Sequence, residues 1–262
     1  MWVQDDEKET YNIKQLDLEI IQPNSRSYTD TSQGGSKIVI IGKPGTGKST
    51  VIKSILYAKK HIFPVGLFMS GTEDSNHFYS KFIPDLFIYN DYDEGKLQDF
   101  VRRQKIAKHH LPNPWAILLL DDCTDDKRIF NQLIQQNLYK KGRHYKMLYL
   151  LSLQYALDMK TSIRTNVDGV FILREPNLNN RRKLWENFAG VIPDFGLFCK
   201  LMDKLTQDYC CLYIHNATTT NRIEDCVFFY KAKIPPKDFK FGSRDYWDYH
   251  FQRYNPKYTD KY

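Results

Sequence analysis

The sequence predicts an α/β fold: a mainly parallel sheet with helices on both faces. Three observations carry that prediction. Short, β-branched, almost wholly apolar runs recur at 37–41, 65–69, 116–120, 147–153 and 170–173, the pattern of strands covered on both sides. Segments of helical period lie between them, as crossover connections require. Glycine, carboxylate and amide residues then follow the C-terminal ends of the runs. Right-handed crossovers gather ligand sites along that edge.

Taken in order, residues 1–36 form a polar lead-in, in which Leu16, Leu18, Ile20 and Ile21 suggest one short strand. Pro23-Asn24-Ser25 and Ser32-Gln33-Gly34-Gly35-Ser36 supply turns. A domain at 37–232 follows, and a basic and aromatic tail occupies 233–262. Within the domain, Lys37–Ile41 is the first buried strand, followed by a glycine-rich loop and a helix over Ser49–Lys59. Val65–Met69 is a second strand and Leu86–Tyr89 a shorter third. A helix over Asp93–His110 places Leu97, Val101 and Ile106 on one face and Arg102, Arg103, Lys105 and Lys108 on the other, and Pro112 and Pro114 end it.

Ala116–Leu120 is a strand that runs into Asp121-Asp122. A helix over Lys127–Tyr139 leads to a strand over Met147–Leu153 that ends at Gln154. Val170–Leu173 is the next strand, and Asn179–Phe188 and Phe195–Leu205 are helices. Tyr209–Ile214 and Cys226–Lys231 read as strands divided by a polar turn, a possible antiparallel pair at one edge of the sheet.

Composition narrows the function classes. The chain has 262 residues, enough to bury a core without metals or disulfides, and a formal net charge of +7 that suits an anionic partner such as nucleic acid. The cysteines are Cys123, Cys199, Cys210, Cys211 and Cys226, an odd number with no CxxC pair. They read as reduced thiols in an intracellular protein without a zinc site. The first twenty residues are polar and acidic, unlike a secretory leader, and no apolar run approaches the ~20 residues of a membrane span.

The chemistry concentrates in Gly42-Lys43-Pro44-Gly45-Thr46-Gly47-Lys48-Ser49, which matches GxxxxGK[ST] at every fixed position between a buried strand and a helix. Glycines permit a tight loop whose N–H groups point inward at phosphate, and the helix N-terminus adds its positive end. The motif therefore predicts a nucleoside triphosphate, ATP with Mg²⁺, held by Gly42 through Thr50. Lys48 reaches the β- and γ-phosphates and Ser49 ligates the metal. Asp121, at the end of the neighbouring apolar run, supplies the carboxylate for Mg²⁺, and Asp122 is placed as the general base. Gln154 is a candidate to sense the γ-phosphate or orient water. An arginine from a neighbouring subunit would stabilise the transferring phosphoryl group. Arg143 is the favoured candidate and Arg164 the alternative.

Together these residues resemble the FtsK/HerA-like P-loop ATPases. More narrowly, they resemble the genome-packaging ATPases of large nucleocytoplasmic DNA viruses, including that of poxviruses. The likeness rests on Gly42 to Thr50, Phe68-Met69-Ser70-Gly71-Thr72, the Leu118-Leu119-Leu120-Asp121-Asp122 strand, Gly142-Arg143-His144, Gln154 and Ile163-Arg164-Thr165-Asn166, and spans about residues 37–190. It implies a RecA-like (ASCE) core with an extra strand between the P-loop and Asp121 strands. It also implies a homo-oligomeric ring of about five or six subunits that moves double-stranded DNA into a preformed capsid, docked at its vertex or on portal-like components. Work in the host-cell cytoplasm rather than the nucleus, or in association with the virion, follows from the same likeness. The wider superfamily has Asp-Glu where this chain has Asp121-Asp122, so the base here is shorter by one methylene.

Basic clusters that suit sequence-independent phosphate contacts are Arg102-Arg103 with Lys105 and Lys108, Lys140-Lys141, and Arg181-Arg182-Lys183. The tail interleaves aromatic and basic residues around Asp245-Tyr246-Trp247-Asp248-Tyr249-His250-Phe251. It could stack on bases, dock on a capsid or another subunit, or pack on its own domain. Two other readings of the chain stay open: an ATPase that remodels protein assemblies without DNA, and a slow nucleotide-dependent switch or scaffold. Neither an Asn-Lys-x-Asp motif of GTPases nor the Leu-Ser-Gly-Gly-Gln signature of ABC proteins occurs.

Overall fold

The computed structural model describes residues 1–4, 10–123, 126–155 and 159–258. In chain order its elements are β1 (Trp2–Gln4), β2 (Thr10–Asn12), β3 (Lys14–Gln15), β4 (Lys37–Ile41), α1 (Lys48–Ala58), β5 (Val65–Ser70), α2 (Glu73–Asn76), β6 (Ile88–Tyr89), α3 (Glu94–His110) and β7 (Ala116–Asp121). There follow α4 (Leu133–Lys141), β8 (Met147–Leu153), α5 (Thr161–Arg164), β9 (Gly169–Ile172), α6 (Leu178–Phe188), α7 (Phe195–Leu205), β10 (Cys210–His215), α8 (Ile223–Cys226), β11 (Val227–Lys231) and α9 (Arg244–Arg253).

The main sheet runs β3-β11-β10-β9-β4-β8-β7-β5-β6, and β1 and β2 form a separate antiparallel pair. From β9 to β6 every pairing is parallel, with β4 between β8 and β9. β10 is antiparallel to both β9 and β11. The expected edge pair therefore forms, but β3 adds outside it, parallel to β11. Between the P-loop strand β4 and the Asp121 strand β7 lies β8, the extra strand that the resemblance implied.

Each sheet face buries its own core, because alternate residues of one strand point opposite ways. On β4, Val39 and Ile41 join Leu118, Leu120, Leu151 and Ile172 beneath α3, α4, α6 and α7. Ile38 and Ile40 join Ile117, Leu119, Leu150 and Phe171 on the other side, against Val51, Ile52, Ile55 and Leu56 of α1. The C-terminal segment seals that second face: Phe239, Phe241 and Tyr246 are buried, and the Tyr246 hydroxyl donates to Gly66 O at 2.6 Å.

Three local expectations are corrected. The lead-in strand expected at Leu16 to Ile21 is a 3-10 turn over Leu18–Ile20, because the Asp17 carboxylate accepts the Glu19 N–H and starts a turn. The pairing strand is β3, just before it. The helix expected over Lys127–Tyr139 is a 3-10 turn over Lys127–Asn131 and then α4, divided at Gln132, whose backbone is extended. On α3, Ile106 is 56% exposed. At 100° per residue it lies opposite Leu97. Gln104 takes the buried place instead, its amide donating to the carbonyls of Pro114 and Tyr145 at 3.0 Å each.

Candidate functional site

The glycine-rich loop leaves the sheet at the C-terminal end of β4, tied to β8 by a hydrogen bond from Gly42 N–H to Leu153 O at 3.1 Å. A Cβ on Gly42 would lie 2.6 Å from Thr46 Oγ1 and 2.9 Å from Leu173 Cβ, so only glycine fits the bend. Gly45 and Gly47 have φ of 76° and 103°, the left-handed region. Thr46 closes the loop on itself, its hydroxyl donating to Lys43 O at 2.7 Å. Pro44 and Thr50 are exposed and Ser49 is half-buried. Gly47 offers α1 no side-chain cap, and the first turn holds no acidic residue. The leading N–H groups of α1 thus face the loop's hollow unneutralised, which suits an anion.

Lys48 turns back into that hollow. Its ammonium donates to Gly42 O at 2.9 Å and pairs with Asp122 Oδ2 at 3.4 Å, while its side chain is 6% exposed. β7 delivers the carboxylates from two strands away. Asp121 is its last residue, in register with Ser70 of β5 and Ser152 of β8. Asp121 Oδ2 accepts the Tyr79 hydroxyl at 2.6 Å. Asp122 turns the chain at φ 47°, a conformation uncommon for a residue with a Cβ.

Three buried oxygens on these adjacent and register-paired residues have no hydrogen-bond partner: Asp121 Oδ1, Asp122 Oδ1 and Ser152 Oγ. Buried polar atoms are ordinarily satisfied. A divalent cation with its waters, or a phosphate-bound one, would satisfy these. Among the described residues no group of three or more His, Cys, Asp or Glu could hold a metal ion. A cation at this place would take the rest of its oxygens from a hydroxyl, water or phosphate, the habit of Mg²⁺. Burial pushes the Asp122 carboxyl above the ordinary carboxylate range, and the Asp121 charge adds to the rise; Lys48 and the Gln154 side chain oppose it.

Gln154, just past β8, also lines a cavity of about 240 Å³ with Gly42, Tyr155, Leu173, Glu175 and Lys183. Glu175 binds the loop through Lys43 Nζ at 2.9 Å and also accepts Asn177 N–H at 2.8 Å and Asn180 Nδ2 at 3.1 Å. Burial raises its carboxyl, but Lys43 and the amide donors outweigh this and hold it below the usual range. Glu175, Tyr79 and Ser152 were not singled out in the sequence. They lie far from the motif and carry no local pattern.

The structure therefore brings Lys48, Asp121, Asp122 and Gln154 together, and it does not bring Arg143 to them. Arg143 sits in the 3-10 turn before β8, at the opposite end of the sheet, its Nη2 donating to Asp168 Oδ1 at 2.9 Å. Arg164 ends α5, donates to Thr161 Oγ1 at 2.7 Å and lies 6.0 Å from the Phe188 ring centre. Of the basic clusters, Arg181 is buried, pairing with Asp203 at 2.6 Å. Lys140, Lys141, Arg182 and Lys183 are exposed. No described helix is long and apolar enough to cross a membrane.

No protein-family model matches the chain. The chain is 52% identical over 243 residues to the uncharacterized protein 088R of Invertebrate iridescent virus 3, covering 92% of this chain and 93% of that one. Among solved structures it is similar to the genome packaging NTPase B204 from Sulfolobus turreted icosahedral virus 2 in complex with ATP-gammaS. That likeness has a TM-score of 0.54 and 16% identity, over 76% of this chain and 98% of the other. It is also similar to the pCW3 conjugation coupling protein TcpA, with a TM-score of 0.58 and 12% identity, over 95% of this chain and 80% of the other. At such identities these likenesses speak to the fold alone, an α/β P-loop NTPase fold with a mainly parallel sheet. The chain belongs to a family of large-DNA-virus proteins that includes 088R of Invertebrate iridescent virus 3.

Proposed function

We propose that this chain is a Mg²⁺-dependent ATPase that translocates double-stranded DNA, packaging a viral genome into a preformed capsid. The observation that carries the proposal is the convergence at one sheet edge. The P-loop lysine lies 3.4 Å from Asp122, and beside it Asp121 keeps a buried oxygen unpartnered. The role of B204 as a genome packaging NTPase supports the same reading by analogy of fold.

In this reading the loop from Gly42 to Thr50 cradles the phosphates with its inward N–H groups, that of Gly42 being taken by Leu153 O and Pro44 having none to offer, and Lys48 neutralises the β- and γ-oxygens. Ser49 and Asp121 would hold Mg²⁺, which when bound draws charge from the phosphate oxygens. Asp122 takes the proton of the attacking water. Its raised carboxyl pKa brings it nearer the range in which a base works well. Gln154, beside Asp122 and the loop, orients that water or reads the γ-phosphate. Half-exposed Arg143 gives one N–H to Asp168 and keeps others free. In a ring it would reach the neighbouring subunit's phosphates from the far end of the sheet, with Arg164 as the alternative. Exposed Lys140, Lys141, Arg182 and Lys183 supply sequence-independent phosphate contacts. The assembly acts inside the infected cell, in the cytoplasm.

Steady-state ATPase rate with and without linear duplex DNA, across a salt series, tests the proposal. Stimulation that fades as salt rises is expected. A rate indifferent to DNA at every salt concentration would reject translocation while leaving the ATPase in place.

A further inference from the structure

Asp121 is held by a residue outside every motif in the chain. Tyr79 lies in the irregular stretch between α2 and β6, yet it is 1% exposed. Its ring packs among Phe68, Phe78 and Phe82, with centroids 6.3, 5.0 and 6.0 Å away. Glu73, 4% exposed, clamps the turn from behind: Oε2 accepts Tyr79 N–H at 2.9 Å and Oε1 accepts Ser80 N–H at 2.8 Å. With ring and backbone both fixed, the phenol donates to Asp121 Oδ2 at 2.6 Å. The two oxygens of Asp121 are thereby made unequal. Oδ2 is engaged, while Oδ1 is buried and has no partner. Rotating the carboxylate would break a short hydrogen bond at a residue only 3% exposed.

We propose that Tyr79 is a positioning and specificity-determining residue: it fixes the Asp121 carboxylate so that only Oδ1 is available to a divalent cation. This rests on the reading of Asp121 as the Mg²⁺ ligand given above. Two consequences follow. A hydrogen-bonded partner behind a metal ligand orients it, and losing such a partner lowers metal affinity about 10–100-fold. Occupying Oδ2 also prevents both oxygens from chelating one ion. Ca²⁺ accepts bidentate carboxylates and irregular shells, whereas Mg²⁺ demands near-octahedral geometry with few carboxylate oxygens. The phenol thus favours the smaller ion.

The test measures binding of a fluorescent ATP analogue to the full chain while Mg²⁺ or Ca²⁺ is titrated, with EDTA as the metal-free reference. Tyr79→Phe keeps the ring and removes the hydroxyl. Its Mg²⁺ half-point should rise roughly tenfold, its metal-free affinity should stay within about twofold, and its Ca²⁺ half-point should rise less, so that discrimination between the ions falls. A folded Tyr79→Phe protein with wild-type Mg²⁺ and Ca²⁺ half-points overturns the proposal. Asp121→Asn, run in parallel, separates the two levels of inference. If it leaves the metal dependence unchanged, the ligand reading itself falls. If it abolishes metal dependence while Tyr79→Phe behaves as wild type, only the role of Tyr79 falls. Should Tyr79→Phe fail to show a cooperative melt, Glu73→Gln replaces it. This variant keeps one acceptor for the turn, and the same shift at smaller size is expected; no shift overturns the proposal equally.

Discussion

The two ends of the parallel sheet each bury a lysine against an aspartate, and they do so in opposite ways. At the N-terminal end, both Asp168 oxygens are engaged. Oδ2 accepts Lys37 N–H at 2.8 Å and pairs with Lys37 Nζ at 3.3 Å, while Oδ1 takes Arg143 at 2.9 Å. Burial lowers the Lys37 ammonium pKa, and Asp168 pulls it part of the way back. At the C-terminal end, Lys48 touches one oxygen of Asp122, and one oxygen of each neighbouring carboxylate is left bare. The N-terminal end has unpartnered atoms too, Tyr213 Oη and His215 Nδ1. They belong to a phenol and to an imidazole that burial pushes toward its neutral form, so they leave no charge uncompensated. A saturated carboxylate anchors the fold, whereas an unsaturated pair at a strand end is a place kept for something else.

That contrast breaks cleanly under substitution. Asp122→Asn should lower kcat by roughly 10²–10⁴-fold, as loss of a general base does, while ATP binding stays near wild type. Its thermal midpoint should not fall, because relief of the burial cost of the Asp122 charge and of its repulsion by Asp121 outweighs the loss of the Lys48 pair, and the asparagine oxygen still accepts from Lys48. Near-normal hydrolysis would remove Asp122 as the base. Asp168→Ala should do the reverse. Stripping a buried cation of its partner costs about 3–5 kcal/mol, so urea unfolding should shift strongly while nucleotide affinity of the folded protein is retained. A loss under about 1 kcal/mol would show that Asp168 is no anchor and that the two ends differ less than their hydrogen bonding implies.

How much of this was legible in the sequence follows the range of the physics. Lys37–Ile41, Ala116–Leu120 and Met147–Leu153 announced themselves because a strand buried on both faces must be apolar throughout. The loop from Gly42 was legible because left-handed backbone and close packing against Leu173 admit little but glycine. The carboxylates stood out as polar residues ending an apolar run, whereas Gln154, a common residue at a strand end, stood out chiefly through the family resemblance. Tyr79 and Glu175 were not. Each reaches its partner across long sequence separation, Tyr79 to Asp121 over 42 residues and Glu175 to Lys43 over 132, from segments without periodicity. Leu16, Leu18 and Ile21 imitated a strand because their burial resembles strand alternation, whereas Asp17 decides the local conformation by capping a turn. Ile106 gave way to Gln104 because helical phase, not hydrophobicity, assigns the buried face of α3.

The finest test of the comparison lies within one helix, since α1 begins at the open site and ends in a closed one. Its first turn is uncapped. Its C-cap residue, Lys59, is fully buried, and its ammonium donates to Ile21 O and Pro23 O at 2.8 Å each. A cation suits a helix C-terminus, and the two carbonyls replace part of its hydration. Among the described residues no carboxylate pairs with it, and burial draws its pKa from 10.5 down to about 8, against the weaker pull of Glu19 and Asp17. Below pH 8 both folded and unfolded chains carry the proton, and the cost of burying the charge is present in full. Between pH 8 and 10.5 the unfolded chain holds more protons than the folded one, so stability rises with pH. Lys59→Met removes this titration. A tenfold difference in proton affinity between the folded and unfolded chains corresponds to about 1.36 kcal/mol. The stability of the wild type relative to Lys59→Met should therefore increase by about 2 kcal/mol between roughly pH 7.5 and 9.5 in urea unfolding. Other groups, the buried tyrosines among them, titrate alike in both proteins and cancel from the difference. A difference that stays flat across this range would mean that the two carbonyls solvate the ammonium as well as water does. The buried end of α1 would then impose no electrostatic cost, and the contrast between its two ends would reduce to the presence or absence of a cap.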